Sequence, residues 1–296
     1  MFMSFNARAL GLVLDAEIAL TVAAKAGFKG IDLLMRDLLT AGHDPKQLKS
    51  RMDDLGLRGG AWPLPVSWRG DEAVFARDLE QLPRLAAVAA QLGLFRTGTW
   101  VMPETPDRTS PRTAIFDLHV HRLSAIARIL ATHGSRLGLE VIGVQSFRTG
   151  RGEPFITRMK ELDPLLAALR TEAPDVGVLV DTFHLYAAEE SIEAGLQWGV
   201  ESVVWVHVAE PPPEASRDRS LIRDTVRGLP AEHGTIPIAA WLKRLSDLGF
   251  DGPVTAEPLG GSKALQGLKD ADIAATTAAA LRSVWPPPAT ASPAKR

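Results

Sequence analysis

The sequence predicts a single-domain (β/α)8 barrel. Three observations carry that expectation: a repeated phrase in which a helix stops at glycine and a strand follows, strands that are apolar throughout, and polar side chains that end four of those strands. A chain of 296 residues lies within the usual range for one such barrel. The phrase occurs as AAKAGFKGIDLL at Gly27, DDLGLRGGAW at Gly56, AAQLGLFRTGTW at Gly93, ATHGSRLGLEVIG at Gly134, GLQWGVESVVWVHV at Gly199 and LSDLGFDGPVTAE at Gly249. Glycine accepts the left-handed conformation that closes a helix, so each is read as a C-terminal stop.

In chain order, strands are expected near 5–12, 29–34, 58–63, 96–101, 137–142, 176–181, 202–208 and 253–257. Helix starts are marked by Asp15 ahead of AEIALTVAAKA and by Ser110-Pro111 ahead of RTAIFDLHVHRLSAIARIL, since proline's missing N–H costs nothing in a first turn. VGVLVD and SVVWVHV do not alternate in polarity, as befits parallel strands covered on both faces. No Gly-x-Gly-x-x-Gly follows the first strand, which favours a closed barrel over a doubly wound nucleotide-binding sheet. The barrel is expected to occupy 1–285, with PPPATASPAKR at 286–296 as a flexible Pro/Ala-rich tail.

Composition excludes several function classes. With 46% hydrophobic and 23% charged residues and a net charge of -2, no field gathers nucleic acid or anionic lipid, so neither partner is expected. The lack of cysteine removes disulfides, thiolate metal sites and cysteine nucleophiles, and suits a reducing cytoplasm. The N-terminus has no basic start leading into an apolar run and cleavage site, and no stretch is long enough to span a bilayer, so a cytoplasmic protein is expected. A homo-oligomer is compatible with all of this.

Chemistry in a barrel of this kind sits at the C-terminal ends of the strands. Glu140 in RLGLEVIG, Asp181 in VGVLVDTFH, His207 in VVWVHVAE and Glu257 in PVTAEPLG each end an apolar run, on the fifth to eighth strands. Alternation along a strand puts each on the barrel-facing side, so three carboxylates and one imidazole converge. Unpaired, three buried acids repel and in part protonate, at several kcal/mol. A divalent cation removes that cost. Oxygen-rich ligation with one nitrogen suits manganese, magnesium or cobalt better than zinc. His184, three residues past Asp181, overhangs the site as a donor to a substrate oxygen. Trp62 and Trp100, ending the third and fourth strands, are either an apolar wall for a substrate or core packing. His119 and His121 lie two apart on a helix and point to different faces, so they are not taken as ligands.

At these residues the chain resembles the xylose isomerase-like TIM barrel superfamily, which includes ketose 3-epimerases, hydroxypyruvate isomerase, inosose dehydratase and endonuclease IV. The resemblance runs to about residue 285 and rests on GLEVIG with Glu140, Asp181-Thr-Phe-His184, His207-Val-Ala-Glu210-Pro, Arg227-Gly-Leu-Pro-Ala-Glu232 and GFDGPVTAEP with Glu257. It implies one divalent metal ion held by Glu140, Asp181, His207 and Glu257. It also implies that Glu140 and Glu257 serve as acid and base, and that His184 and Arg227 hold substrate. Relatives often carry aspartate where Glu210 stands and glycine where Ala231 stands, and lack His233, so a reshaped loop is expected there. The segment after His207 lacks the Asp-x-His pair of endonuclease IV, which argues against DNA repair. The expected function is metal-dependent isomerisation or epimerisation of a small carbohydrate, free or phosphorylated, through a cis-enediolate. An inosose dehydratase-like lyase and a non-catalytic sugar-binding barrel are the alternatives.

Overall fold

A computed structural model describes residues 1–287. Its strands are β1 (Phe2–Phe5), β2 (Gly30–Ile31), β3 (Arg58–Gly59), β4 (Trp62–Pro63), β5 (Arg96–Trp100), β6 (Arg136–Glu140), β7 (Gly177–Asp181), β8 (Val203–Val208) and β9 (Pro253–Ala256). All pair in parallel in the order β3-β2-β1-β9-β8-β7-β6-β5-β4. Ten helices surround them among the described residues: α1 (Ala16–Ala26), α2 (Met35–Thr40), α3 (Pro45–Asp54), α4 (Glu72–Gln91), α5 (Arg112–Thr132), α6 (Asp163–Arg170), α7 (Thr182–Ala187), α8 (Ile192–Gly195), α9 (Ile238–Asp247) and α10 (Asp270–Val284).

The segments β3 and β4 are two halves of the third barrel strand. Between them, Gly60 donates to the Ile31 carbonyl (2.8 Å) and Ala61 accepts from the Leu33 amide (3.3 Å), while Leu64 donates to Gly98 on the other side (3.0 Å). The chain itself therefore links the two ends of the sheet and closes the barrel. Gly60 is demanded by a close approach: a Cβ there would lie 2.2 Å from both Asp32 Oδ1 and Ser4 Oγ.

The repeated phrase behaves as its chemistry requires. All six of its glycines take positive φ, between 66° at Gly56 and 89° at Gly27. Asp15 caps α1 by accepting from the Glu17 amide (2.9 Å). Two expectations shift. Pro111 sits at the cap position rather than in the first turn, so α5 begins at Arg112. The first strand is Phe2–Phe5 rather than 5–12, because the apolar run after it coils into a short turn at Arg8–Leu10 that Gly11 ends with φ of 77°. Three apolar clusters result among the described residues, one of them, around Ile142, Val144, Phe183, Ala187, Ala209 and Ile222, lying beside the strand ends. A large one lies between the sheet and the helices. A small one of Ala61, Leu179 and Trp205 fills the barrel interior. No helix among the described residues is long and apolar enough to cross a membrane. The tail read at 286–296 lies, from residue 288 onward, outside the described residues.

Candidate metal centre

The four strand-end residues meet. One ligand atom from each of Glu140, Asp181, His207 and Glu257 lies within 4.8 Å of the others. Strand register explains the convergence: Glu140 pairs with Leu179, Asp181 with His207, and His207 with Thr255 two residues before Glu257. His207 Nδ1 is 3.2 Å from Glu257 Oε2 and 3.9 Å from Glu140 Oε1. Glu140 Oε1 and both ring nitrogens of His207 are buried without a hydrogen-bond partner among the described residues. Buried polar atoms are rarely left unpaired, because each costs about 1–3 kcal/mol. Orphans on Glu140 and His207, beside the carboxylates of Asp181 and Glu257, are what a divalent cation would satisfy, so a set of three oxygen donors and one nitrogen donor fits such an ion.

The electrostatics show how unlike these carboxylates are. Burial and the neighbouring Glu257 charge push Glu140 well above the usual carboxylate range. Burial also raises Asp181, against the pull of Arg227. Glu257 is buried too, yet His207 and Arg227 hold it at about 2. Burial opposes charge on His207, but Glu257, Glu140 and Asp181 raise it to about 9. Cation ligation needs the neutral ring, so metal binding here releases a proton.

Arg227 reaches the site from the loop after β8 and is only 2% exposed. Its Nη1 donates to Asp181 Oδ2 (2.7 Å) and Glu257 Oε2 (2.9 Å), its Nη2 to Asp224 Oδ1 and His184 Nε2 (3.1 Å), and its Nε to the Asp224 carbonyl (2.8 Å). All five N–H groups of the guanidinium thus have acceptors. His184 is buried, and burial together with Arg227 lowers it to about 3. Its ring is therefore neutral and accepts at Nε2, which puts a hydrogen on Nδ1, an atom buried without a partner among the described residues. Asp181 also caps α7 through the Phe183 amide (2.8 Å), so the turn that carries His184 is built on a candidate ligand.

The loop after β8 is tied together by Glu210. Glu210 pairs with Gly228 through both backbone groups and accepts from the amides of His233 (2.9 Å) and Gly234 (2.8 Å). Ala231 adopts φ of 62°, a left-handed conformation that favours glycine.

The two tryptophans part company. Trp62 has no exposed surface and belongs to the large core. It neighbours Ala61, which faces the barrel interior, so alternation turns Trp62 outward toward the helices. Trp100 pairs with Glu140 in register and stands at the rim of the site. Arg69 lies over its ring at 3.6 Å from the centroid, and Phe147 meets it edge-on at 6.0 Å. His119 is buried between Trp68 and Phe155, with Nδ1 2.7 Å from the Ile115 carbonyl.

Sequence reasoning missed three residues here. Asp224 and Arg69 sit in loops with no periodic pattern to mark them. Asp32 carried a mark: like the four ligands, it ends an apolar strand, in GFKGIDLL. Its buried carboxylate accepts from Ser4 Oγ (2.6 Å), the Ala61 amide (2.8 Å) and Thr255 Oγ1 (2.7 Å). Thr255 Oγ1 in turn accepts from Trp205 Nε1 (2.9 Å), and the Trp205 ring packs on His207 at 4.4 Å. Asp32 therefore anchors the floor beneath the cluster.

The model of the xylose isomerase-like TIM barrel family matches residues 20–284. The chain belongs to that family. Among solved structures, it is similar to a xylose isomerase domain protein from Alicyclobacillus acidocaldarius subsp. acidocaldarius, at 25% identity and a TM-score of 0.82, with 95% of this chain and 97% of that one covered. It shares the fold of the IolI protein solved with a bound zinc atom, at 18% identity and a TM-score of 0.77, covering 96% and 98%. It also shares the fold of D-psicose 3-epimerase from Clostridium cellulolyticum H10, solved with D-tagatose, at 17% identity and a TM-score of 0.72, covering 96% and 98%. No curated protein matches the sequence.

Proposed function

We propose that this protein is a divalent metal-dependent isomerase or epimerase of a small carbohydrate, acting in the cytoplasm. One observation carries the reading: the four converging ligand residues, two of which, Glu140 and His207, bury atoms without a partner among the described residues, at the C-terminal mouth of a barrel whose solved relatives include a sugar epimerase. Glu140, Asp181, His207 and Glu257 would hold manganese, magnesium or cobalt in preference to zinc, on the strength of their three oxygens and one nitrogen. The zinc of the IolI structure makes zinc the competitor to test. A divalent ion there would polarise the carbonyl and hydroxyl oxygens of a ketose and acidify the carbon between them.

The chain's own residues do the rest. Glu140 and Glu257 come from β6 and from the end of β9, which are not adjacent. One removes the carbon-bound proton, and the other returns a proton to the opposite face of the cis-enediolate. His184 turns its Nε2 toward Glu140, Asp181 and Asp224, and it would meet a substrate oxygen through that edge of the ring. Arg227, with all its donors engaged, acts by holding Asp181 and Glu257 in place, and Trp100 lines one side of the site.

Turnover in D₂O tests the chemistry. Carboxylates that exchange with solvent place deuterium on the deprotonated carbon, whereas hydride transfer between carbons leaves product unlabelled. A product that has lost a hydroxyl would instead identify a dehydratase of an inosose.

A further inference from the structure

Arg69 is a cation without a counter-ion. It lies in the loop after β4, half-buried, and among the described residues no carboxylate comes within ion-pair distance of it. Its guanidinium is nevertheless rigidly placed. The guanidinium carbon lies over the Trp100 ring, 3.6 Å from its centroid, and over the Trp68 ring at 4.7 Å. Nη1 spends both hydrogens, on Thr99 Oγ1 (3.2 Å) and the Trp100 carbonyl (2.7 Å). The Thr99 hydroxyl is itself fixed by Trp68 Nε1 (3.0 Å).

What remains is one edge of the fork. Nε–H and both Nη2–H groups have no acceptor among the described residues, and Nε–H with the Nη2–H parallel to it is the pair that binds a carboxylate or a phosphate through two hydrogen bonds. Desolvating a cation is costly unless something compensates it. Here burial lowers Arg69 to about 10, with the Glu140 charge the one influence opposing it. That influence and the pairing of Trp100 with Glu140 place Arg69 at the rim of the metal centre. The contrast with Arg227, saturated by carboxylates, singles out Arg69 as the arginine with donors to offer.

We propose that Arg69, held flat on Trp100, receives an anionic group of the substrate through its Nε–Nη2 edge, so that the carbohydrate handled here is a sugar acid or a sugar phosphate. This rests on the isomerase reading and narrows it to charged substrates. The carbonyl end would face the glutamates, and the anion, at the far end of the sugar, the arginine.

The test compares three probes on the metal-loaded protein by calorimetry: D-fructose, D-fructuronate and D-fructose 6-phosphate. At least one anion should bind about 10-fold to 100-fold more tightly than D-fructose, the range of a charge-assisted pair of hydrogen bonds. The anion with the larger margin tells carboxylate from phosphate. Arg69→Leu should collapse that margin to about onefold, and Arg69→Lys should retain part of it. Arg69→Gln serves as a second neutral variant should the leucine protein not fold.

Failure of both anions to outbind D-fructose in the wild type overturns the assignment. So does a margin that survives in the neutral variants, since equal weakening of all three probes is the mark of a merely structural arginine. Deuterium exchange from D₂O separates this from the isomerase reading. Exchange on D-fructose with no advantage for either anion sinks Arg69 alone. Anion binding through Arg69 with no exchange on any probe sinks the isomerase reading alone.

Discussion

Two arginines stand at the mouth of this barrel in opposite circumstances. Arg227 is buried among Asp181, Glu257 and Asp224 and spends every donor on acceptors of its own chain. Arg69 rests on Trp100 with, among the described residues, no carboxylate partner and no acceptor for its Nε and Nη2 groups. The difference teaches that charge near a site does not by itself identify a substrate contact. An arginine that neutralises neighbouring carboxylates is saturated within the fold, and one that rests uncompensated on an aromatic ring keeps donors to offer.

The acidic side of this comparison should give the largest effects. Glu140→Gln and Glu257→Gln keep size and some ligation but remove the base, and each should lower turnover about 10²-fold to 10⁴-fold. Steady-state kinetics with metal in excess checks this, and a loss under tenfold in either variant would remove that glutamate from the chemistry.

Next comes Arg227 itself. Arg227→Met removes the cation from three carboxylates, and breaking a buried pair in this way costs about 3–5 kcal/mol. Metal compensates two of those carboxylates, Asp181 and Glu257, so the loss should be larger in the metal-free protein than in the metal-loaded one. Denaturant melts with and without metal decide. An equal loss in both states would show that Arg227 does not compensate the ligands.

The aromatic side has its own expected dependence on pH. His119 supports Trp68 at 4.8 Å, and burial lowers it from 6.5 to about 4. The folded protein thus resists protonation that the unfolded chain accepts. This contribution to stability is complete above about pH 6.5 and is lost as pH falls toward 4, reaching about 3 kcal/mol. His119→Phe should flatten that part of the stability curve, and an unchanged slope would mean the ring is not protected as described.

How much of this the sequence disclosed depended on periodicity. The strands from Arg136 onward are four to six residues long and largely apolar, so their ends, and with them Glu140, Asp181, His207 and Glu257, could be read directly. The β2, β3 and β4 segments are two residues each, too short for a pattern. Trp62 shows the cost: a single residue's displacement along a strand reverses its face, and the interruption at Gly60 to Ala61 could not be seen without Asp32 in place. Arg69 was invisible because a loop residue's partner is chosen by three-dimensional proximity, here to Trp100.

The smallest effect concerns the loop that carries Arg227. Ala231 holds φ of 62°, a conformation costing about 1 kcal/mol in a residue with a Cβ. Ala231→Gly should therefore raise stability slightly by scanning calorimetry, whereas a lower melting temperature would mean that the side chain's contacts outweigh the strain.

The central claim is that the four strand-end residues form one metal centre, and elemental analysis after exhaustive dialysis addresses it most directly. The wild type reloaded with manganese should retain close to one ion per chain, as expected of a site with three oxygens and one nitrogen. Asp181→Ala and His207→Ala should each retain far less and lose the rise in melting temperature that bound metal confers. Wild-type protein that keeps no divalent ion, or variants that keep as much as the wild type, would contradict the account.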